Sequence, residues 1–528
     1  MPSLTRPPCD EDVLRAGAGD APCTPAAKPW ILAATILGSS LAFIDSSTVN
    51  VALPALQRSL GATVTDIQWV INGYTLFLAS LILLGGSLGD HYGRKRVFGI
   101  GVVAFALASA WCGLAPTTGQ LILARACQGV GAALLVPGSL AIISASFPEG
   151  ERGAAIGLWS GFSAITSALG PPLGGWLIDT LSWRWIFFIN LPLAVLVIFF
   201  LTRVPESRDP QAGRLDFAGA ALVTLGLGAL TYGLLRSSTR GLGNAAVLLA
   251  LGVGVAALVG FVALESRLKE PMVPFTLFRS PTFSGTNLLT LLLYGALGGA
   301  LFFLPLNLIQ VQGYSATAAG AALLPFVLLL SLLSRWSGGL ITRFGARGPL
   351  TVGPLVVAAG FGLFTLPGIG GSYWTTFFPA AVVLGLGMAV TVAPLTAAVM
   401  GSVPGHYAGT ASGVNNAASR VAGLLAVALF GLLMLAVFSG ALRGGLAGLE
   451  LPVQVEAAVY AQRNDLAGLE PPPELSAPQQ QAVRQAVNNA YLTGFRMVMV
   501  VSAGLALLSA LVAWRLVEGK GARGSSTP

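Results

Sequence analysis

Runs of about twenty apolar residues recur fourteen times along this 528-residue chain, separated mostly by short polar turns. A helix rises about 1.5 Å per residue, so each run matches a hydrocarbon core about 30 Å thick. The runs fall at 30–53, 67–88, 97–114, 119–144, 153–177, 185–202, 216–236, 245–265, 284–310, 317–338, 349–368, 375–400, 409–438 and 493–516. Only 9% of the residues are charged and 54% are hydrophobic, whereas a soluble domain carries roughly 25% charged residues. An all-α membrane protein with fourteen transmembrane helices is therefore expected. The 67 glycines and 32 prolines fit such a chain, because small side chains let membrane helices approach closely and neighbouring helices re-satisfy backbone that proline interrupts.

The basic residues set an orientation. With the N-terminus in the cytoplasm, the inner loops hold Arg94, Lys95, Arg96, Arg152, Arg203, Arg208, Arg214, Arg267, Lys269, Arg279, Arg343 and Arg347. Arg6, Arg15, Lys28, Arg515, Lys520 and Arg523 lie in the tails, so the excess is cytoplasmic, as the positive-inside rule requires. An even number of spans returns the C-terminus to the same side. The net charge of +8 is thus spread over loops and forms no face for nucleic acid. Cys9, Cys23, Cys112 and Cys127 have no metal-binding spacing, and His91 and His406 cannot build a metal site alone. No metal and no cofactor is expected. Residues 1–29 lack the apolar segment of a signal peptide and read as a cytoplasmic tail.

The run from Gly86 to Arg96 repeats at Gly338 to Arg347, and both cross from a helix end into a basic turn. Two halves of one plan follow: a six-helix bundle over 30–202 and a second over 267–516. Between them, 203–266 holds a linker and a two-helix insertion, and 517–528 forms a cytoplasmic tail. The outer loop 440–491 is polar, with Glu450, Glu456, Asp465, Glu470, Glu474 and the prolines 471–473. A short helix between Gln479 and Asn489 is expected there, and the loop reads either as a solvated connector or as a gating segment.

Ionisable side chains inside the spans are the informative ones, since each costs about 2.5–3.5 kcal/mol at a helix centre. Asp45 is the single carboxylate deep in any span, and Arg125 and Arg420 are the deepest cations. Asp45 lies about 22 Å from the inner end of its run and Arg125 about 8 Å below the outer end of its own. Both therefore fall in the outer third and are expected to share an aqueous cavity. Asp45 reads as a proton-coupling acid or as a helix-pinning partner of Ser46, Ser47 or Thr48, and Arg125 as its electrostatic or structural partner. Arg335 and Arg496 lie near span ends, where snorkelling suffices. Gly157, Gly161, Gly170, Gly174 and Gly175, with Pro171 and Pro172, mark the fifth span as one of close helix contact and bending. Phe43, Tyr294, Phe303, Asn307 and Met388 are candidates for a substrate cavity, being mostly apolar with a few polar groups.

Taken in order, these motifs resemble the major facilitator superfamily, specifically its fourteen-helix drug:proton antiporter branch, over nearly the whole chain. Phe43, Ile44, Asp45 and the run from Thr48 to Pro54 look like the first-helix motif. Gly86, Asp90, Gly93 and Arg94 look like the superfamily's loop motif, and the resemblance implies that they latch one conformation. His91 stands where an Arg is usual, and Thr342 replaces the acid in the second copy. Leu121, Arg125, Gln128, Gly129, Gly131 and Pro137 look like the fourth-helix motif tied to proton transfer, and Gly157 to Gly175 like the antiporter motif. The resemblance implies a multi-pass protein of the bacterial inner membrane, exporting lipophilic, often cationic compounds in exchange for protons by alternating access. Its expected partners are the small-molecule substrate and the bilayer, and it is expected to act as a monomer. An exporter of an endogenous lipid, metabolite or self-made antibiotic is the closest rival. An ATP-driven pump is disfavoured because none of Lys28, Lys95, Lys269 and Lys520 closes a P-loop. An enzyme is disfavoured as well: the run from Gly85 to Gly89 spells a nucleophile elbow, but no strand precedes it.

Overall fold

The computed structural model describes residues 27–209, 215–268, 271–403, 408–449 and 451–519. Cys9, Cys23, Arg214, Lys269, His406, Glu450, Lys520 and Arg523 lie outside the described residues, as do the side chains of Arg152, Arg335 and Thr342. Regular structure among the described residues is helical throughout.

The expected runs coincide with helices. The first half holds α1 (Lys28–Leu60), α2 (Val64–Tyr92), α3 (Arg94–Leu114), α4 (Thr118–Ser146), α5 (Glu149–Thr180) and α6 (Trp185–Leu201). The insertion is α7 (Phe217–Arg240) and α8 (Ala245–Glu265). Then come α9 (Pro281–Leu306), α10 in two pieces (Ala316–Ala321 and Leu324–Gly338), α11 (Arg347–Leu363), α12 (Tyr373–Gly401), α13 (Ala408–Ala447) and α14 (Ala477–Leu516). Among the described residues eleven helices are long and apolar enough to cross a membrane, and α6 and α11 are shorter apolar helices.

Local chemistry sets the helix ends. Gly61 closes α1 at φ 58°, and Thr63 and Asp66 form a reciprocal capping box that opens α2. Gly93 then turns the chain at φ 112°, and Gly345 does the same at φ 72° in the second copy of the repeat. Positive φ suits glycine because no Cβ meets the backbone. The sequence repeat is therefore also a repeat of backbone geometry.

Helix pairing is the same in both halves. α2 packs on α4, α3 on α4, α1 on α5 and α1 on α6, while α10 packs on α12, α11 on α12, α9 on α13 and α9 on α14. The halves meet where α2 runs along α13 and where α5 meets the first piece of α10. The α7–α8 pair does not stand apart: α7 rests on both α2 and α13, where Leu227 packs with Leu76 and Leu424. It straddles the seam between the two bundles.

The segment expected as an outer loop is largely folded. A short helix Val453–Ala461 and a 3-10 turn Arg463–Gly468 follow α13, and that turn touches α1, α2, α13 and α14. The short helix expected over 479–489 is instead the start of α14, a continuous helix of 40 residues. Ser476 and Gln479 cap it with a reciprocal box and Pro478 occupies its first turn, so the helix starts well before its apolar part.

Candidate functional site

The hydroxyls beside Asp45 are occupied elsewhere. Ser46 donates to the Phe43 carbonyl, Ser47 to Ile44 and Thr48 to Ile44 at 2.9 Å, each on its own helix. The helix-pinning reading of Asp45 therefore has no partner among them. Its carboxylate instead accepts from three other residues. Arg125 Nη1 lies 2.5 Å from Oδ2, while Gln128 Nε2 and Asn190 Nδ2 lie 2.8 and 3.3 Å from Oδ1.

The guanidinium has further partners. Arg125 Nη1 donates to Gln128 Oε1 at 2.7 Å and Nε to the Val70 carbonyl at 3.2 Å, and the Tyr74 ring centroid lies 4.3 Å from its central carbon. Ser109 accepts from Asn190 at 2.9 Å and donates to the Phe187 carbonyl at 2.9 Å, which ties α3 and α6 into the same network. Residues from α1, α2, α3, α4 and α6 thus form one network, in which α4 and α6 reach the carboxylate itself and α2 and α3 hold its partners. Close approach makes this possible: a Cβ on Gly131 of α4 would lie 2.6 Å from the Phe105 nitrogen of α3.

Asp45 is 0% exposed and Arg125 1%. The expectation that they lie at one depth holds, but the shared aqueous cavity is corrected: the pair is a sealed polar cluster inside the first bundle. A charge in such surroundings is tolerable only when paired and hydrogen-bonded. Gln128 was legible as a motif residue. Asn190, Ser109, Tyr74 and the Val70 carbonyl were missed, and the only available signal was an amide in an otherwise apolar sixth run.

At the loop motif, Asp90 Oδ1 accepts from Arg94 Nε at 2.9 Å, one turn away across Gly93. Gly86 sits beside Pro137 of α4. Glu206 was not anticipated: its carboxylate accepts the backbone N–H groups of Lys95 and Arg96 at 3.0 and 3.2 Å, at the start of α3. An acid is favourable at a helix N-terminus, where backbone N–H groups lack partners. His91 rests edge-on against Tyr92.

The glycine face of α5 divides in two. Among the described residues nothing lies within 4 Å of where a side chain would stand at Gly157 and Gly161. Gly170 and Gly174 face Ser47 and Thr48 of α1, and Gly175 abuts the Ala316 backbone of α10. Gly320 in turn meets the backbone of Pro171, so the bundles touch with almost no side chain between them. Asp179 completes the contact by accepting from the N–H of Thr317 at 2.8 Å and its hydroxyl at 2.6 Å. Gln57 adds a link to the Asp465 carbonyl at 2.9 Å and accepts from Gln310 at 3.0 Å.

A polar cavity of about 260 Å³ opens in the second bundle between α9, α12 and α13, lined by Tyr294, Thr396, Ser412, Asn416, Ser419 and Arg420 among others. Of the five residues expected around a substrate, Tyr294 lines it. Phe43 is half-buried on the first bundle against Trp159. Phe303 and Met388 are packed into the core at 0% and 2% exposure, and buried Asn307 begins a π turn and accepts from Gln312 at 3.4 Å. None of these three lines the cavity: each lies about two turns or more along its helix from the nearest lining residue, Tyr294 on α9 or Leu395 on α12, so depth along the helix, not apolar character, decides which residues meet it. Arg496, midway along α14, donates to the Pro367 carbonyl just beyond the end of α11, consistent with a structural role.

A family model described as Major Facilitator Superfamily matches residues 35–427. The chain is 34% identical over 495 residues to the tetracenomycin C resistance and export protein of Streptomyces glaucescens, covering 92% of this chain and 91% of that one. It is 37% identical over 405 residues to the puromycin resistance protein of Streptomyces alboniger, covering 76% and 80%. A multidrug resistance protein of Mycobacterium tuberculosis is 33% identical over 499 residues, covering 92% and 91%. Among solved structures, a bacterial homolog of the human lysosomal transporter Spinster, in an inward-facing and occupied conformation, superposes with a TM-score of 0.65 at 17% identity, covering 93% and 97%. That likeness concerns the fold.

Proposed function

This chain belongs to the Major Facilitator Superfamily, and from that premise we propose that it exports lipophilic small molecules across a bacterial inner membrane in exchange for protons. The observation that carries the coupling is the set of partners around Asp45 and Arg125. A proton arriving on Asp45 ends its attraction for the guanidinium, and Arg125 then keeps Gln128 Oε1, the Val70 carbonyl and the Tyr74 ring. The cation is therefore not stranded when the acid is neutral, and a protonated state of the cluster is affordable. Alternating access supplies the two environments that load and unload this proton.

In this reading the basic turns near Arg94 and Arg347 face the cytoplasm, together with both termini. The contact of Gly175 with α10 and of Gly320 with α5 then closes the outer end, while the Arg420 cavity belongs to the inner half. The names of the relatives, which concern resistance to and export of antibiotics, support drug-like cargo. An antibiotic made by the host itself is a second reading, favoured by the Streptomyces relatives named for a single compound each.

The test is flux in liposomes holding the purified chain under an imposed pH gradient, with ethidium as reporter and a pH dye inside. Ethidium movement should need the gradient and be matched by proton movement, and Asp45→Asn should abolish the coupling. Gradient-driven flux at the original rate in Asp45→Asn would remove the acid from the mechanism.

A further inference from the structure

Among the described residues the charges deep in the spans do not balance. Asp45 and Arg125 cancel inside the first bundle. Arg420, about 18 Å along α13 from its start, has no carboxylate within ion-pair distance among the described residues. Its side chain opens onto the 260 Å³ cavity, whose other polar walls are hydroxyls, amides and the Tyr294 phenol, with no acid. The second bundle has no copy of the ion pair to supply one: at the register that superposes Gly93 on Gly345, Asp45 falls on Leu297 and Arg125 on Phe377, both buried and apolar.

An arginine cannot shed its proton, and its planar fork of N–H donors matches a carboxylate in two parallel bonds. A membrane-embedded cation that the fold leaves unpaired is a site awaiting an anion. The cavity is smaller than the roughly 300–1,000 Å³ of a whole drug site, so it fits the acidic end of a larger molecule. Arg420 lies within electrostatic reach of Tyr294 in its own bundle and of Tyr74 in the other, on the helix α13 that packs against α2 of the first bundle.

We propose that Arg420 binds an ionised carboxylate on the exported molecule, so that the cargo is a lipophilic organic anion. This rests on the export reading above and departs from the cationic compounds that the sequence resemblance brought forward.

The test uses the purified full chain in detergent and equilibrium dialysis with 1-naphthoate and its uncharged amide. Naphthoate should bind at least about tenfold more tightly than the amide, a difference of about 1.4 kcal/mol. Arg420→Gln should erase that preference and Arg420→Lys should retain part of it. Asn416→Asp supplies a variant that keeps the arginine: an acid one turn before Arg420 neutralises it from within the cavity and should abolish naphthoate binding. Equal binding of naphthoate and amide, or an unchanged preference in both Arg420→Gln and Asn416→Asp, would overturn the proposal. Competition by phosphatidylglycerol that removes naphthoate binding would assign the site to lipid headgroups and also overturn it. If liposomes exchange ethidium for protons while the two naphthyl probes bind alike, the anion site fails and export stands. Naphthoate binding that depends on Arg420, with no proton-linked flux of either naphthoate or ethidium in the liposomes, would leave the site and remove export.

Discussion

Replacing Asp45 leaves Arg125 buried with a charge it cannot discharge, whereas replacing Arg125 leaves a carboxyl group that can take up a proton. The two substitutions are therefore unequal. Asp45→Asn should destabilise the protein by about 1.5–3 kcal/mol, the worth of a hydrogen bond to a charged group, because Gln128 Oε1, the Val70 carbonyl and the Tyr74 ring still hold the guanidinium, and Arg125→Gln by distinctly less. Thermal unfolding in detergent reads the difference, and equal losses would argue against a charged pair. At this scale the sequence exposes Asp45 and Arg125 because charge inside an apolar run has no bland explanation. It does not expose Ser109 or Asn190, whose residue types are common in membrane helices, and it cannot expose a backbone carbonyl such as that of Val70.

The contact between α5 and α10 depends on two missing side chains. Gly175→Ala would push a methyl group into the Ala316 backbone, an overpacking cost of about 1–3 kcal/mol paid only while the bundles touch there. With the native cysteines replaced, a Leu177→Cys reporter should then react faster with a membrane-impermeant maleimide, and an unchanged rate would show that this contact does not hold the end shut. The 463–468 turn makes a separate prediction. Burial, aided by the nearby Asp66 charge, pushes the Asp465 carboxyl above the ordinary carboxylate range. Docking of this turn is then strongest in acid, where the group is neutral, and weakens as pH rises through the raised value. Asp465→Asn keeps the carbonyl that holds Gln57 and removes the charge. Hydrogen exchange of the 466–469 amides should slow a few-fold near neutral pH and lose its acid dependence, and unaltered exchange would mean the carboxyl is not strained by docking. The turn itself was not legible beforehand, because a polar composition reads as loop while Leu466, Ala467 and Leu469 are buried by helices far away in sequence.

Across the whole molecule, the repeated pairing of helices explains why one basic turn predicts the other, since Gly93 and Gly345 solve the same reversal in each half. A fluorescent protein fused after residue 519 should be bright and alkaline phosphatase inserted in the 452–476 segment active, the pattern expected when both termini are cytoplasmic. The reverse pattern would invert the topology and place the Arg420 cavity on the outer side. Hydropathy along the chain determined the spans and their order, because crossing a bilayer is decided by local length and apolarity, and the repeated basic turn pointed to the two-half plan. The tertiary structure alone decided that Asp45 meets Arg125 in a buried cluster, that α7 lies across the seam, and that Arg420 is left over facing a cavity. In lipid every helix face is apolar, so the pattern of residues does not say which faces meet, and close packing between specific small residues settles it.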